Sequence, residues 1–390
     1  MAARALTPQD LHIGEPLPWP IHDRHGHLLL RKGDVIRTED MYNAMLSRGF
    51  LIEAERKREA APLAPKVEYH RLPVYRRMRA AQDWHEAAMV KLHSAYPDAL
   101  SDCLRLAALI TVACDEDSDA AVAAFQVDAA EQSRGGSARY MHAAVLADLL
   151  SRAIGLSADR RQVVIAAAMT YDLGMFRLAD ALNNQREALT LQQREWLEGH
   201  PQLGVEMLSA AGVDSEIWLN AVRCHHERVD GSGYPRGLSG DDVGLEARLI
   251  AIVDVYSAMI RPRAYREPVQ GKDALRQIFL ERGKAIDEEL AQTFVREIGV
   301  FPPGSLVKLK NGEIAVIVRR GENAAQPLMW ALLDPSGQSV GGAAERRAST
   351  AEHSIAGLVS ISKYRGLLPR MADIWTRTAQ RQEQEEPATG

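Results

Sequence analysis

The spacing of apolar residues changes period twice along the chain. Residues 11–37 alternate short apolar runs with turn signals: "LPWPI", "HDRHGH", "LLL", then "RKGD" before "VI". Such patterning predicts a small β-meander. "TEDMYNAMLSRGF" follows, with Thr38 placed as N-cap, acids in the first turn and Gly49 as stop. That is a short helix. The charged, proline-containing stretch over 53–73 reads as a linker.

From about residue 74 the period becomes 3.6. Apolar residues recur at helical spacing through "ALSDCLRLAALITVA", "MHAAVLADLLSRAIGL", "RRQVVIAAAMTYDLGMF", "QQREWLEGHPQLGVEMLSAAG" and "SEIWLNAVRCHHE". "LEARLIAIVDVYSAMI" and "DEELAQTFVREIG" continue the pattern to about residue 299. After "FPPGS" the period returns to two: "LVKLK", the turn "NGE", then "IAVIV" form a hairpin signal, which "MWALLD" and "PSGQ" extend. The final "RQEQEEPATG" is too polar to bury a face and is expected to be disordered. The fold class is therefore mainly α: a multi-helix bundle flanked by small N-terminal and C-terminal β modules. The segments are 1–52 (β/α module), 53–73 (linker), 74–136 (helical connection), 137–300 (helical core), 301–365 (β module) and 366–390 (tail).

Composition agrees with a helical globular chain. Of the 390 residues 46% are apolar and only 6% aromatic, enough for a large core and more than one domain. A formal net charge of −5 argues against a general nucleic-acid binder. Three cysteines, Cys103, Cys114 and Cys224, have no paired spacing, which predicts a reducing compartment. The longest apolar runs, "LAALITVAC" and "LIAIVDVYSAMI", are well short of the roughly 20 residues a bilayer crossing needs. A cytoplasmic protein without a membrane span is the expectation.

The helical core also carries a set of histidines and acids: His142, Asp172 in "TYDLGM", His200 in "GHPQLG", the adjacent His225 and His226, and Asp254 in "AIVDVY". Imidazole with carboxylate suits iron, manganese or zinc, and no cysteine stands among them with zinc-finger spacing. Spacing alone leaves two readings open, a metal site or unrelated core and surface side chains. Cys224, beside the histidine pair, reads as a small buried hydrophobe.

The stretch from about 137 to 300 resembles the HD-GYP domain, the branch of the HD phosphohydrolase superfamily associated with hydrolysis of cyclic di-GMP. "HHERVDGSGYPRGL" contains the family's full loop signature; "GHPQLGVEML" and "GLEARLIAIVDVYSAMIRPRAYR" are similar to its other segments. The resemblance implies an HD-type bundle whose metal ligands are His142, Asp172, His200, His225, His226 and Asp254. It also implies departures. Tyr171 stands where the family's first HD residue is histidine, Met175 where it has lysine, and Ala138 where some members place a glutamate for a third metal. Ser257 and Ala264 break two further strings.

Two-metal hydrolysis of a phosphodiester needs an activated water and a clamp on the transition state. By the resemblance, one metal position keeps Asp172, His200, His225 and His226. The other keeps His142, Asp172 and Asp254, with Tyr171 in the fourth place, where a phenolate is demanding because its reference pKa is near 10. Tyr171 and Asp172 are thus the catalytic candidates. One divalent transition metal is expected to bind firmly and the second weakly or not at all. Arg263 and Arg266, with Gly233, Tyr234 and Pro235, are the candidate substrate-binding residues, through bidentate phosphate contacts and a stiff turn.

Three readings follow. One is a signalling protein that binds cyclic di-GMP, or a diguanylate cyclase domain through the GYP loop, with weak or lost phosphodiesterase activity. The second is an active metal-dependent phosphodiesterase using Tyr171 as a substitute ligand. The third is a helical scaffold, and a homodimer is compatible with each.

Overall fold

Short strands at the N-terminus pair around one helix. In the computed structural model β1 (Ala3–Ala5), β2 (Ile21–His22), β3 (Leu28–Leu30) and β4 (Phe50–Ile52) form an antiparallel sheet of order β1-β4-β2-β3. The meander expected over 11–37 is thereby extended, because Ala3–Ala5 pairs with Phe50–Ile52 on the far side of α1 (Glu39–Arg48). Thr38 caps α1 by accepting from the Met41 amide, and Gly49 ends it. The structure describes residues 3–385 apart from 16, 18, 20, 24–27, 32–33, 53–66, 132–135, 177, 262–267 and 322–325. Most of the expected linker and the end of the tail, 386–390, lie outside the described residues.

The helical core comprises α2 (Val74–His93), α3 (Ala99–Glu131), α4 (Ser137–Ala153), α5 (Ala158–Thr170), α6 (Ala179–Asn184), α7 (Leu191–Ala210), α8 (Glu216–Cys224), α9 (Leu245–Met259), α10 (Gly271–Glu281) and α11 (Glu288–Ile298). Caps are local and explain the boundaries. Ser157, Thr190, Ser215 and Asp287 each accept from a backbone amide of the first turn, and Gly299, at φ 74°, closes α11. Helices α4 and α9 are buried on nearly every face, and α5 is so over its second half, Val164–Thr170. A helix without a polar face belongs in the middle of a bundle.

The second sheet has order β8-β7-β6-β5-β9, from β5 (Leu306–Leu309), β6 (Ile314–Arg319), β7 (Leu328–Leu333), β8 (Ser339–Arg347) and β9 (Ile355–Leu358). It is held to α3 by charge. Asp117 breaks the helical geometry of α3, caps the following turn through the Ala120 amide, and pairs with both Arg319 guanidinium nitrogens at 2.7 and 2.9 Å. Arg320 pairs with Asp119 at 2.5 Å.

The tail begins as a helix packed on the bundle. Helix α12 (Leu368–Glu385) runs through it, and Met371, Ile374 and Trp375 are buried, with Trp375 stacked on Tyr75 of α2 at 5.1 Å. The apolar stripe at i, i+3 and i+4 drives that docking. Among the described residues no helix is long and apolar enough to cross a membrane.

The N-terminal module has its own core, of Leu6, Leu11, Leu17, Trp19, Ile21, Ile36 and Tyr42. That core is completed from the bundle by Met175, Leu178 and Ala179, with Trp196 and Leu197 of α7 packed against it. Met175 is thus part of the joint between module and bundle.

Candidate metal centre

Four side chains converge at one end of the bundle. Asp172 follows the C-cap of α5, His200 lies on α7, His225 caps α8, and His226 is the next residue. One ligand atom from each lies within 4.8 Å of every other.

The backbone prepares these imidazoles for a metal. Pro201 sits inside α7 and has no N–H, so the Leu197 carbonyl four residues earlier is deprived of its helical donor. His200 Nδ1 takes that place, 2.5 Å from Leu197 O. His225, at the end of α8 where carbonyls lack helical partners, places Nδ1 2.7 Å from Val222 O. A carbonyl only accepts, so each Nδ1 carries the proton and each Nε2 keeps its lone pair. This is the tautomer a metal requires. The two Nε2 atoms are 3.3 Å apart, and lie 3.1 Å (His200) and 3.5 Å (His225) from Asp172 Oδ1. Those approaches lack hydrogen-bond geometry, so Asp172 Oδ1 has no hydrogen-bond partner, nor has the buried His226 Nε2. Converging lone pairs with unsatisfied buried atoms fit one divalent ion, and the donor set suits iron, manganese or zinc.

Charge supports this. Burial alone would raise the Asp172 carboxyl, but the Arg139 guanidinium beside it holds it well below the usual carboxylate range. Burial pushes His226 well below its ordinary value, keeping it neutral.

The GYP loop is folded around Glu227 and His226. Buried Glu227 accepts from the Arg236 amide at 2.7 Å and the Leu238 amide at 2.9 Å. The Tyr234 ring stacks on His226, centroids 4.6 Å apart at 29°. Gly231 needs its φ of 79°, whereas Gly233 is required by contact: a Cβ there would lie 2.5 Å from His226 O and from Arg228 N. Pro235 follows a cis peptide bond after Tyr234. Gly174 serves the Asp172 turn similarly, since a Cβ would meet His200 O at 2.1 Å.

The structure does not bring His142 and Asp254 into the four-ligand group. His142, on α4, is buried between the rings of Phe125 and Tyr256, and its Nδ1 faces Arg261 Nη1 at 3.5 Å. A guanidinium only donates, so Nδ1 is the acceptor and Nε2 carries the proton, the wrong tautomer for ligation through Nε2. Burial, then Arg261, push His142 well below its ordinary value. Asp254, on α9, faces other donors. Tyr171 donates its hydroxyl to Asp254 Oδ1 at 2.8 Å, and Arg139 Nη2 donates to the same oxygen. Burial raises the Tyr171 phenol well above 10, with Asp254 and Asp172 adding to it against the opposing charge of Arg139. It is a hydroxyl, not a phenolate.

Arg139 and Glu227 are the residues sequence reasoning missed. Arg139 lies three positions before His142, one of two arginines on an Ala- and Leu-rich helix; Glu227 stands inside the quoted loop string. Both signals were visible without their meaning. Arg263, Arg266 and Ala264 lie outside the described residues. Cys224 is buried with Val243 and Ala247, as a small hydrophobe.

A helical bundle with a histidine-rich cluster at one end is the setting in which the comparisons with known proteins are read. Residues 125–290 match the family described as HD domain. A cyclic di-GMP phosphodiesterase of Pseudomonas aeruginosa is 30% identical over 184 residues, 46% of this chain and 44% of that protein. A cyclic di-GMP phosphodiesterase response regulator of Xanthomonas campestris is 32% identical over 171 residues, 43% and 45% of the two chains. The chain thus spans under half the length of these curated relatives. A solved HDG"Y"P protein from Bdellovibrio bacteriovorus is 14% identical with a TM-score of 0.48, covering 75% of this chain and 98% of that one. The HD-domain match and these relatives support reading residues 125–290 as a domain of the HD-GYP kind.

Proposed function

We propose that this protein is a cyclic di-GMP signalling protein whose HD-GYP domain holds one divalent metal ion and hydrolyses the dinucleotide weakly or not at all. The observation that carries the reading is the contrast in tautomers. His200 and His225 present Nε2 lone pairs beside Asp172, whereas His142 is held in the opposite state by Arg261. An ion held by Asp172, His200, His225 and His226 would supply Lewis acidity toward a phosphate oxygen. Around it, Asp172 stays ionised, Tyr234 holds the His226 ring in place, and Glu227 keeps the loop folded. The cation that the family resemblance implies near the phosphate is absent at Met175, whose side chain is committed to the N-terminal module. Loss of one preorganised donor typically costs about 10²–10³ in rate. The reading in which Tyr171 ligates as phenolate is disfavoured by its hydroxyl donating to Asp254.

The test is elemental analysis of protein expressed with added metal, together with cyclic di-GMP binding and turnover. About one ion per chain, a rise in melting temperature with the dinucleotide, and turnover at least about 10²-fold below a two-metal relative assayed alongside are expected. Turnover equal to that relative, or no response to the dinucleotide, would refute the proposal.

A further inference from the structure

The family resemblance implies a second metal beside Asp172 and Asp254, and in this chain the Arg139 guanidinium stands between those two carboxylates. Asp172 divides its oxygens. Oδ1 faces the histidine cluster, while Oδ2 lies 3.4 Å from Arg139 Nη1 and accepts from the Tyr140 hydroxyl at 3.3 Å. Arg139 Nη2 reaches on to Asp254 Oδ1, which also accepts from Tyr171. The guanidinium therefore bridges the two carboxylates that a second ion would need. It is nearly enclosed, 11% exposed, with its central carbon 5.6 Å from the Tyr140 ring centroid and 5.7 Å from that of Tyr171. Aromatic faces stabilise a cation held over them, and a guanidinium cannot lose its proton as an ammonium can.

We infer that Arg139 is a positioning residue that acts as a permanent internal cation, limits the site to one metal ion, and holds Asp172 and Asp254 in register without a second. The inference rests on the one-metal reading above and adds its cause. Arg139, with Tyr171 beside it, is the obstacle at the carboxylates, added to the missing imidazole and to the His142 tautomer, whose proton a metal can displace only once those carboxylates are released. A second ion does not fit beside a guanidinium hydrogen-bonded to Asp254 and ion-paired with Asp172, because two cations would share one pair of anions at contact distance. The Tyr171 side chain is compatible with this arrangement in a way an imidazole metal ligand is not: its hydroxyl donates where a ligand would need a lone pair.

The experiment is metal stoichiometry by elemental analysis and Mn²⁺ titration followed by electron paramagnetic resonance, which distinguishes isolated from spin-coupled ions without any assay of activity. Wild type and Tyr171→His should each bind one ion and give an uncoupled signal. Tyr171→His with Arg139→Ala should bind two and give a coupled signal. Arg139→Lys, retaining a charge, should stay at one. Uptake of a second ion by Tyr171→His with Arg139 in place would overturn the inference, as would a folded double variant that stays at one ion. Should the double variant fail to fold, Tyr171→His alone still decides by its one or two ions. A wild-type chain binding no ion would instead overturn the one-metal reading and the inference with it.

Discussion

His200 donates through Nδ1 to the Leu197 carbonyl, the carbonyl that Pro201 leaves without a helical donor. The proline and the histidine are one device: the first opens an acceptor, the second uses it and is thereby fixed in the metal-ready tautomer. Leu197 also packs against the N-terminal module, so the same turn of α7 touches both the ligand cluster and the module's core.

Pro201→Ala restores an amide that competes for the Leu197 carbonyl. Metal affinity should fall by about tenfold, the lower end of what such supporting contacts contribute, while helix stability should not fall. A competition titration with a chromophoric chelator measures it; unchanged affinity would show that the Leu197 contact does not set the tautomer.

Met175→Lys tests the joint. A lysine would restore the family's residue type, yet here it would bury an ammonium among Leu6, Tyr42 and Trp196 neighbours. Loss of about 2–4 kcal/mol is expected, with earlier proteolysis of the N-terminal module and no gain in turnover. A variant of wild-type stability would show that the joint opens readily enough for position 175 to face the site.

Glu227→Gln removes one of two charge-assisted acceptors for the loop amides of Arg236 and Leu238. The cost should be about 1–3 kcal/mol, with faster amide exchange over 228–240 and weaker metal binding through the loosened Tyr234–His226 stack. Exchange rates matching wild type would remove Glu227 from this role.

His85 supplies a pH dependence. It is buried between Ser137 Oγ at 3.1 Å and the Met169 carbonyl at 3.0 Å. Burial, only partly opposed by the Met169 contact, lowers it from 6.5 to about 4. The unfolded chain therefore binds a proton below pH 6.5 that the folded chain does not bind until about pH 4. Stability should fall as pH drops through that window, by on the order of 3 kcal/mol from this group. His142, also pushed down, acts in the same direction. Urea unfolding of chelator-treated protein from pH 7 to 4 checks it: His85→Gln should show a visibly shallower slope, and an identical slope would discard the assignment.

Much of this was legible locally. Helix periods, the Thr38 and Ser215 caps and the Gly231 turn are decided within a few residues, so the sequence carries them. Ligand types were legible because a metal restricts which side chains can hold it, and the loop string marks where two of them stand. The docking of the last helix was not legible, because the stripe of Met371, Ile374 and Trp375 is stabilised only by the helix it packs on.

What the sequence determined by itself was the helical class, the flanking strands and the identity of Asp172, His200, His225 and His226 as candidates. Only the tertiary structure decided which histidines are ready to bind. His142 takes its tautomer from Arg261, 119 positions away, and Asp254 takes its partners from Arg139 and Tyr171, 115 and 83 positions away. Met175 likewise has its role set by an N-terminal core remote in the chain. A proton's place on an imidazole, and the cation a carboxylate faces, depend on contacts within a few ångströms, and those contacts are made by folding rather than by neighbouring residues.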